Sequence, residues 1–140
     1  MLVSWVFGVH GGNFIRTMLK LAETHETVSV VDDQVGSLTY TRDLAVLLAD
    51  MIETNRYGVY HATNEGFASW AEVASEVFRQ TGCATKVVPV PSTAYPTKAQ
   101  RPRNSRLAKS SLDRAGFQRL PHWKDAVGRY LIELQKSCER

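Results

Sequence analysis

Residues 98–109 read KAQRPRNSRLAK and carry Lys98, Arg101, Arg103, Arg106 and Lys109 without one acidic residue. Guanidinium groups fork onto phosphate oxygens, and the proline after Arg101 restrains the loop that presents it. The charge balance sharpens the signal. Residues 1–85 hold five Lys/Arg against ten Asp/Glu, whereas residues 86–140 hold twelve against four. Nucleic acid, a phosphate-bearing small molecule or an acidic face of the same polypeptide would suit such a loop, and a merely solvated basic loop stays equally open. A second stretch, VVDDQVGSLTYTRDLA from Val30 to Ala45, sets two acids, an amide, a glycine and hydroxyls between a strand-like run and a helical one. Turn formation explains those residue types, and so does the lip of a binding site.

No complete catalytic centre accompanies these polar stretches. Dinucleotide binding calls for a strand, G-x-G-x-x-G and a helix. The one glycine cluster, GVHGGNF with Gly8, Gly11 and Gly12, is spaced G-x-x-G-G and reads first as a tight strand-to-helix turn. GxxxxGK[ST], HExxH, GxSxG and YxxxK are all absent, and the four histidines (10, 25, 61 and 122) form no i, i+4 pair. Cys83 and Cys138 belong to no CxxC or Cys/His cluster, so free thiols in a reducing cytoplasm are expected and a metal site is not. There is no apolar run long enough to span a membrane, and MLVSWVFGVHGGNF lacks the basic region and cleavage site of a signal peptide.

The elements that must position these residues alternate. At 140 residues, 44% apolar and 22% charged, the chain fits one domain with room for a core. Short apolar runs predict strands over 2–7, 28–31, 59–62 and 86–90. Asn13 is the expected N-cap of a helix reaching about His25. Leu44, Leu47, Leu48, Met51 and Ile52 recur at i, i+3, i+4, i+7 and i+8, an amphipathic helix, with Thr41 and Asp43 at its start for capping and dipole pairing. Ser69-Trp70-Ala71-Glu72 is a capping box ahead of a helix that Gly82 ends, with Trp70 and Phe78 on its buried stripe. A loop from Pro91 to about Ala108 precedes a short helix at 109–115 and a last helix at 122–135 that buries Trp123 and Tyr130. Alternation of this kind implies an α/β fold with largely parallel strands, whose ligands lie at the strands' carboxyl ends.

In that order, SWVFG-x-HGGNF, VVDDQVGSLTYTRDLA, GVYHATNEGFASWAEVA and QRPRNSRL resemble the C-terminal half of the dTDP-4-dehydrorhamnose reductases, members of the extended short-chain dehydrogenase/reductases. The resemblance runs from about Ser4 to Leu134. It implies an α/β architecture made of a partial Rossmann-type unit (late strands of the cofactor sheet) and a small α/β sugar-nucleotide-binding domain. Residues 1–140 are then the substrate-binding portion, and the cofactor loop and the Thr/Tyr/Lys catalytic group lie in an N-terminal half that is absent. The family reduces the 4-keto group of dTDP-4-dehydro-L-rhamnose with NADPH or NADH, a step in polysaccharide biosynthesis. Leu2, Phe7 and Leu38 depart from the family's usual Arg, Tyr and Pro, and Leu2 beside Met1 suggests a truncated or misassigned start.

On this resemblance the substrate-binding residues are Trp5, covering the apolar face of a deoxysugar, Gln34 and Thr39, reading sugar hydroxyls or diphosphate, and Arg101, holding the diphosphate. Asn104 and Ser105 add polar contacts, and Ser4 touches the nicotinamide end of the cofactor through its backbone. Asp32 and Asp33 repel a diphosphate and are assigned to turn formation or cation pairing. Arg103, Arg106 and Lys109 are expected to be solvated, and Trp70, Phe78, Trp123 and Tyr130 to be core. No catalytic residue and no metal ligand is assigned to this chain, while a structural Mg2+ at an oligomer contact of the full enzyme stays open. The partners implied are a dTDP-sugar and the missing half or a second copy, in the cytoplasm, with neither nucleic acid nor membrane. Alone, the chain is expected to be catalytically silent and to expose apolar surface and a strand edge. The competing readings are another extended sugar-nucleotide reductase or epimerase, and a non-catalytic binding or regulatory module on the same fold.

Overall fold

The computed structural model describes residues 1–138, the side chain of Cys138 excepted. In chain order the elements are β1 (Val6–Phe7), α1 (Phe14–Ala22), β2 (Thr27–Val31), β3 (Val35–Gly36), β4 (Thr39–Tyr40), α2 (Thr41–Ile52), β5 (Asn64–Glu65), β6 (Ala68–Ser69), α3 (Trp70–Thr81), β7 (Lys86–Val90), β8 (Asn104–Ser105), α4 (Ser110–Ala115), β9 (Leu120–His122) and α5 (Trp123–Cys138). A 3-10 turn at Ser92–Ala94 follows β7. Strand pairing is largely parallel, as expected: β1 with β4, β2 with β7, β3 with β8 and β5 with β9 are parallel, and β3 with β6 is antiparallel. The longest ladder runs in register from Thr27 opposite Lys86 to Val31 opposite Val90.

Local signals set the helix ends. Asn13 caps α1, its side-chain oxygen accepting from the Arg16 amide at 3.0 Å. Ser69 and Glu72 form the reciprocal capping box of α3, and Gly82 closes that helix with φ 67°. Helices α1, α3 and α5 enclose the main core, where Val28 and Val30 of β2 meet Ile15, Met18, Val73, Val77, Trp123, Val127 and Tyr130. A second cluster of Leu47, Ala62, Leu112, Phe117 and Leu120 lies under α2 and α4. Among the described residues no helix is long and apolar enough to cross a membrane.

Four expectations need correction. The run 2–7 keeps only Val6–Phe7 as a strand, because Trp5 turns the chain with φ 44°. The run 59–62 makes no strand. It contributes one parallel bridge, Leu2 to His61, in which Leu2 donates to Tyr60 O (2.8 Å) and Ala62 donates to Leu2 O (2.9 Å). Helix α1 stops at Ala22 and tightens into a turn, His25 N donating to Leu21 O at 2.9 Å. Helix α2 starts from Tyr40 without a side-chain cap. Asp43 stays in the first turn but spends its carboxylate on Arg129 and Asn64. The stripe of α2 is also only half covered, with Leu47 3% exposed but Leu48 41% and Ile52 79%.

Candidate functional site

A cavity of about 840 Å³ opens beyond the carboxyl ends of β2 and β7, against the residues that lead into β1. Ser4, Trp5, Gln34, Arg101 and Ser105, drawn from three separate sequence motifs, all line it. Gln34 is half-buried where β2 gives way to β3, and Arg101 is exposed on the crossing loop. Ser105 pairs with Gly36 in the β3–β8 ladder, so it is a strand residue at the cavity wall.

The wall beside Trp5 is the most constrained part. Ser4 Oγ donates to Ser37 O at 2.6 Å, Thr39 Oγ1 donates to Ser4 O at 2.7 Å, and Thr39 N donates to Trp5 O at 3.1 Å. Thr39 is therefore a brace for the Ser4–Trp5 backbone. It is fully buried and does not line the cavity, which corrects its expected role as a ligand contact. A β-branched hydroxyl residue at the first position of β4 serves that brace well, since its stiff χ1 holds the donor in place. Gly36 owes its identity to the same corner. A Cβ there would stand 2.7 Å from Trp5 Cε2, so the close approach of the indole needs glycine. The turn role expected for Gly36 is replaced by this one.

The loop over the cavity is pinned at both ends. Asp33 accepts from Ser92 N and Ser92 Oγ, both at 2.9 Å, and Tyr95 Oη donates to Ser29 O at 3.3 Å. At the far end Val35 N donates to Arg103 O at 2.9 Å. Asp32 accepts from Ser69 Oγ at 2.5 Å. Among the described residues neither aspartate pairs with a cation; each ties a loop to a neighbouring element. Asn104 is exposed and outside the cavity lining, its carboxamide oxygen accepting from Arg106 N (3.1 Å) and Nε (2.9 Å), which corrects its expected polar contact.

Two further residues depart from expectation. Lys109 is buried rather than solvated. Its Nζ lies 2.8 Å from Glu65 and donates to Asn64 O at 3.3 Å, which ties the basic loop's far end to β5. Trp70 is half-buried: it packs against the main core and also lines the cavity. Its indole stacks on Trp5 with ring centroids 3.7 Å apart at 15°. A signal for this was available, because Trp70 immediately follows the cap of α3. A first-turn side chain after a strand lies at the end of the fold where α/β proteins bind ligands. Phe78, Trp123 and Tyr130 are core as expected, and Arg106 sits over the exposed Phe67 ring at 5.5 Å. His10 is exposed and does not line the cavity.

A network of buried charge stands behind β4. Arg129 donates to both carboxylate oxygens of Asp43 at 2.6 and 2.8 Å, and Asn64 Nδ2 donates to Asp43 at 2.7 Å. Burial alone would push the Asp43 carboxyl up. The hydrogen bonds from Arg129 and Asn64 outweigh it and hold the group below the usual carboxylate range. Burial and its hydrogen bond to Glu133 push the Tyr40 hydroxyl up. These groups face away from the cavity and brace the scaffold.

A cleft at the carboxyl ends of parallel strands, walled by stacked indoles and crossed by an arginine-bearing loop, defines a ligand-binding α/β protein. The chain belongs to the family described as RmlD substrate binding domain, whose profile matches residues 1–136. It is 40% identical over 136 residues to the spore coat polysaccharide biosynthesis protein SpsK of Bacillus subtilis (strain 168), covering 97% of this chain and 47% of that one. It is 41% identical over 130 residues to the dTDP-4-dehydrorhamnose reductase of Streptomyces griseus, covering 89% and 43%. The crystal structure of dTDP-4-dehydrorhamnose reductase from Bacillus anthracis in complex with NADP superposes with a TM-score of 0.89 at 38% identity, covering 94% of this chain and 46% of that one. The chain thus spans about half the length of the relatives it matches.

The Gly8–Gly12 loop lies outside the cavity lining, and the Gly8 carbonyl is engaged by Asn13 Nδ2 at 3.0 Å. Ser4 commits its hydroxyl proton to Ser37 O, and its carbonyl accepts from Thr39 Oγ1. Among the described residues no group of three or more His, Cys, Asp or Glu could hold a metal ion. Cys83 is a free, half-buried thiol, and the Cys138 thiol lies outside the described side chains.

Proposed function

We propose that this chain supplies the sugar-nucleotide site of an NAD(P)H-dependent dTDP-4-dehydrorhamnose reductase, the enzyme that reduces the 4-keto group of dTDP-4-dehydro-L-rhamnose to give dTDP-L-rhamnose. The observation that carries this reading is the convergence of Trp5, Gln34, Arg101 and Ser105 on one cavity. Arg101 is placed to meet the diphosphate, Gln34 to hydrogen-bond the sugar or the phosphate, and the Trp5 indole to cover the apolar face of the 6-deoxy sugar while keeping water from it. The nicotinamide cofactor is the hydride source of such reductases, and neither its loop nor a proton-donating Tyr/Lys pair is present in this sequence. The chain's contribution is therefore binding and orientation. Hydride and proton delivery belong to a cofactor-binding partner half, in keeping with the half-length coverage of the relatives. No Mg2+ ligand is assigned to this chain, and the free Cys83 thiol suits the reducing cytoplasm, where we place the reaction.

Isothermal titration of the purified chain with dTDP and dTDP-L-rhamnose tests the proposal. Binding of both is expected, weakened roughly tenfold or more in Arg101→Ala, because loss of one bidentate phosphate contact is worth on the order of 1.5–3 kcal/mol. A flat titration of the unmodified chain sinks the assignment. No NADPH oxidation is expected from the chain alone, and measurable turnover would show that it contains the chemistry assigned here to another half.

A further inference from the structure

We propose that Trp70 is the positioning residue for Trp5: it fixes the plane of the sugar-facing indole and so sets how strongly the site distinguishes a nucleotide sugar from the bare nucleotide. The identity of the ligand rests on the function proposed above. The geometry of the indole pair does not.

Trp5 is the only non-glycine residue with positive φ among those described, at 44°. Side-chain-bearing residues adopt that region when the surroundings over-determine it, and such outliers cluster at ligand sites. The surroundings here are explicit. Ser4 and Trp5 are held by Ser37 O, Thr39 Oγ1 and Thr39 N, so the Trp5 backbone cannot relax toward extended geometry without breaking three hydrogen bonds. That leaves the two side-chain torsions, and two neighbours restrict those. Gly36 lets the six-membered ring lie where a Cβ would be 2.7 Å from Cε2 and 2.8 Å from Cζ2. Trp70 covers one indole face at 3.7 Å and 15°.

Trp70 is itself immobilised. Its backbone begins α3 behind the Ser69–Glu72 capping box, and Phe14 packs on its ring at 4.6 Å and 49°. Both indoles line the cavity while their inner edges pack against the main core, so the pair is a wall of the site. With one face of Trp5 taken by Trp70, a ligand meets the opposite face or the rim. A pyranose C–H face gains from a flat aromatic partner only if the ring is held parallel to it. A nucleoside diphosphate that lacks the pyranose gains nothing from that plane.

The test uses the full chain labelled with 5-fluorotryptophan, whose three tryptophans, Trp5, Trp70 and Trp123, give three fluorine resonances assigned by single Trp→Phe variants. In Trp70→Leu the Trp5 resonance is expected to move and to gain a solvent isotope shift, while that of buried Trp123 stays in place and reports an intact core. An unmoved Trp5 resonance beside an unmoved Trp123 resonance overturns the proposal. Trp70→Phe, a smaller aromatic in the same place, is expected to shift Trp5 by less, and it carries the measurement if Trp70→Leu does not fold. Affinity supplies the second arm. In Trp70→Leu the preference for dTDP-L-rhamnose over dTDP is expected to shrink by roughly three- to tenfold, the size of one aromatic stack, with dTDP affinity within twofold of the parent. Equal weakening of both ligands would mean a structural role only and would also overturn the proposal. If the parent chain binds neither ligand, the proposed function fails, and the fluorine spectra still decide whether Trp70 positions Trp5.

Discussion

At the scale of single residues, Arg101 and Gln34 line the cavity, whereas Thr39 and Asn104 use their polar atoms on Ser4 O and on Arg106. Residue type says what a group can donate or accept but not who stands next to it, and a hydroxyl beside an unpaired carbonyl will satisfy that carbonyl first. The same blindness hid Glu76, an unremarkable helix acid in sequence. Its carboxylate accepts from Arg79 at 2.6 and 3.0 Å and from Gln80 at 2.8 Å, and these bonds, Arg79's above all, pull its carboxyl down to about 2. The unfolded chain takes up that proton near the ordinary glutamate value of about 4.3. The stabilisation is therefore complete above about pH 4.3 and is lost as the pH falls toward 2. Glu76→Gln is expected to melt at a lower temperature than the parent at pH 7, with the gap closing between pH 4.3 and 2. A gap that stays constant across melts in that range would show that the ion pair is not its source.

Elements were legible in proportion to how local their causes are. The capping box at Ser69 and Glu72, the Asn13 cap and the Gly82 stop are short-range signals, and all three are present. The ladder from β2 to β7 matches its two apolar runs because both are long enough to pair on their own merits. Val59–Ala62 reads as a strand equally well but meets only Leu2, and a strand is defined by its partner. The sequence marks the basic stretch only as a loop, whereas in the structure Asp33 and Tyr95 tether its entry and the β3–β8 pair its exit. Asp33→Ala should free the entry, since it leaves the Ser92 amide and hydroxyl without their acceptor. Limited trypsin digestion is expected to cut after Lys98 or Arg103 several times faster in that variant, with the rest of the chain equally resistant. Unchanged cleavage would show that the Asp33 tether does not hold the loop.

At the scale of the whole molecule, several large apolar side chains remain exposed. Leu2, Val6, Val46, Ile52 and Val59 are 47%, 48%, 62%, 79% and 72% exposed, and the parallel bridge at Leu2 and His61 is all that joins the two runs expected to be late strands of a cofactor sheet. Apolar area of this kind beside a strand edge favours association. Sedimentation velocity is expected to show concentration-dependent self-association, reduced in the double variant Val46→Lys, Ile52→Glu; a strictly monomeric chain at tens of micromolar would contradict it. The sequence by itself determined the α/β class, the order of the elements, the helix caps and the four motifs that mark the family, because each rests on spacing along the chain or on residue type. Only the tertiary structure decided that Trp70 belongs to the cavity, that Thr39 is a brace, that Gly36 is there to admit an indole and that Lys109 is buried against Glu65. Each of those depends on contacts between residues far apart in sequence. Such contacts are fixed by the packing of whole elements, and no local pattern encodes them.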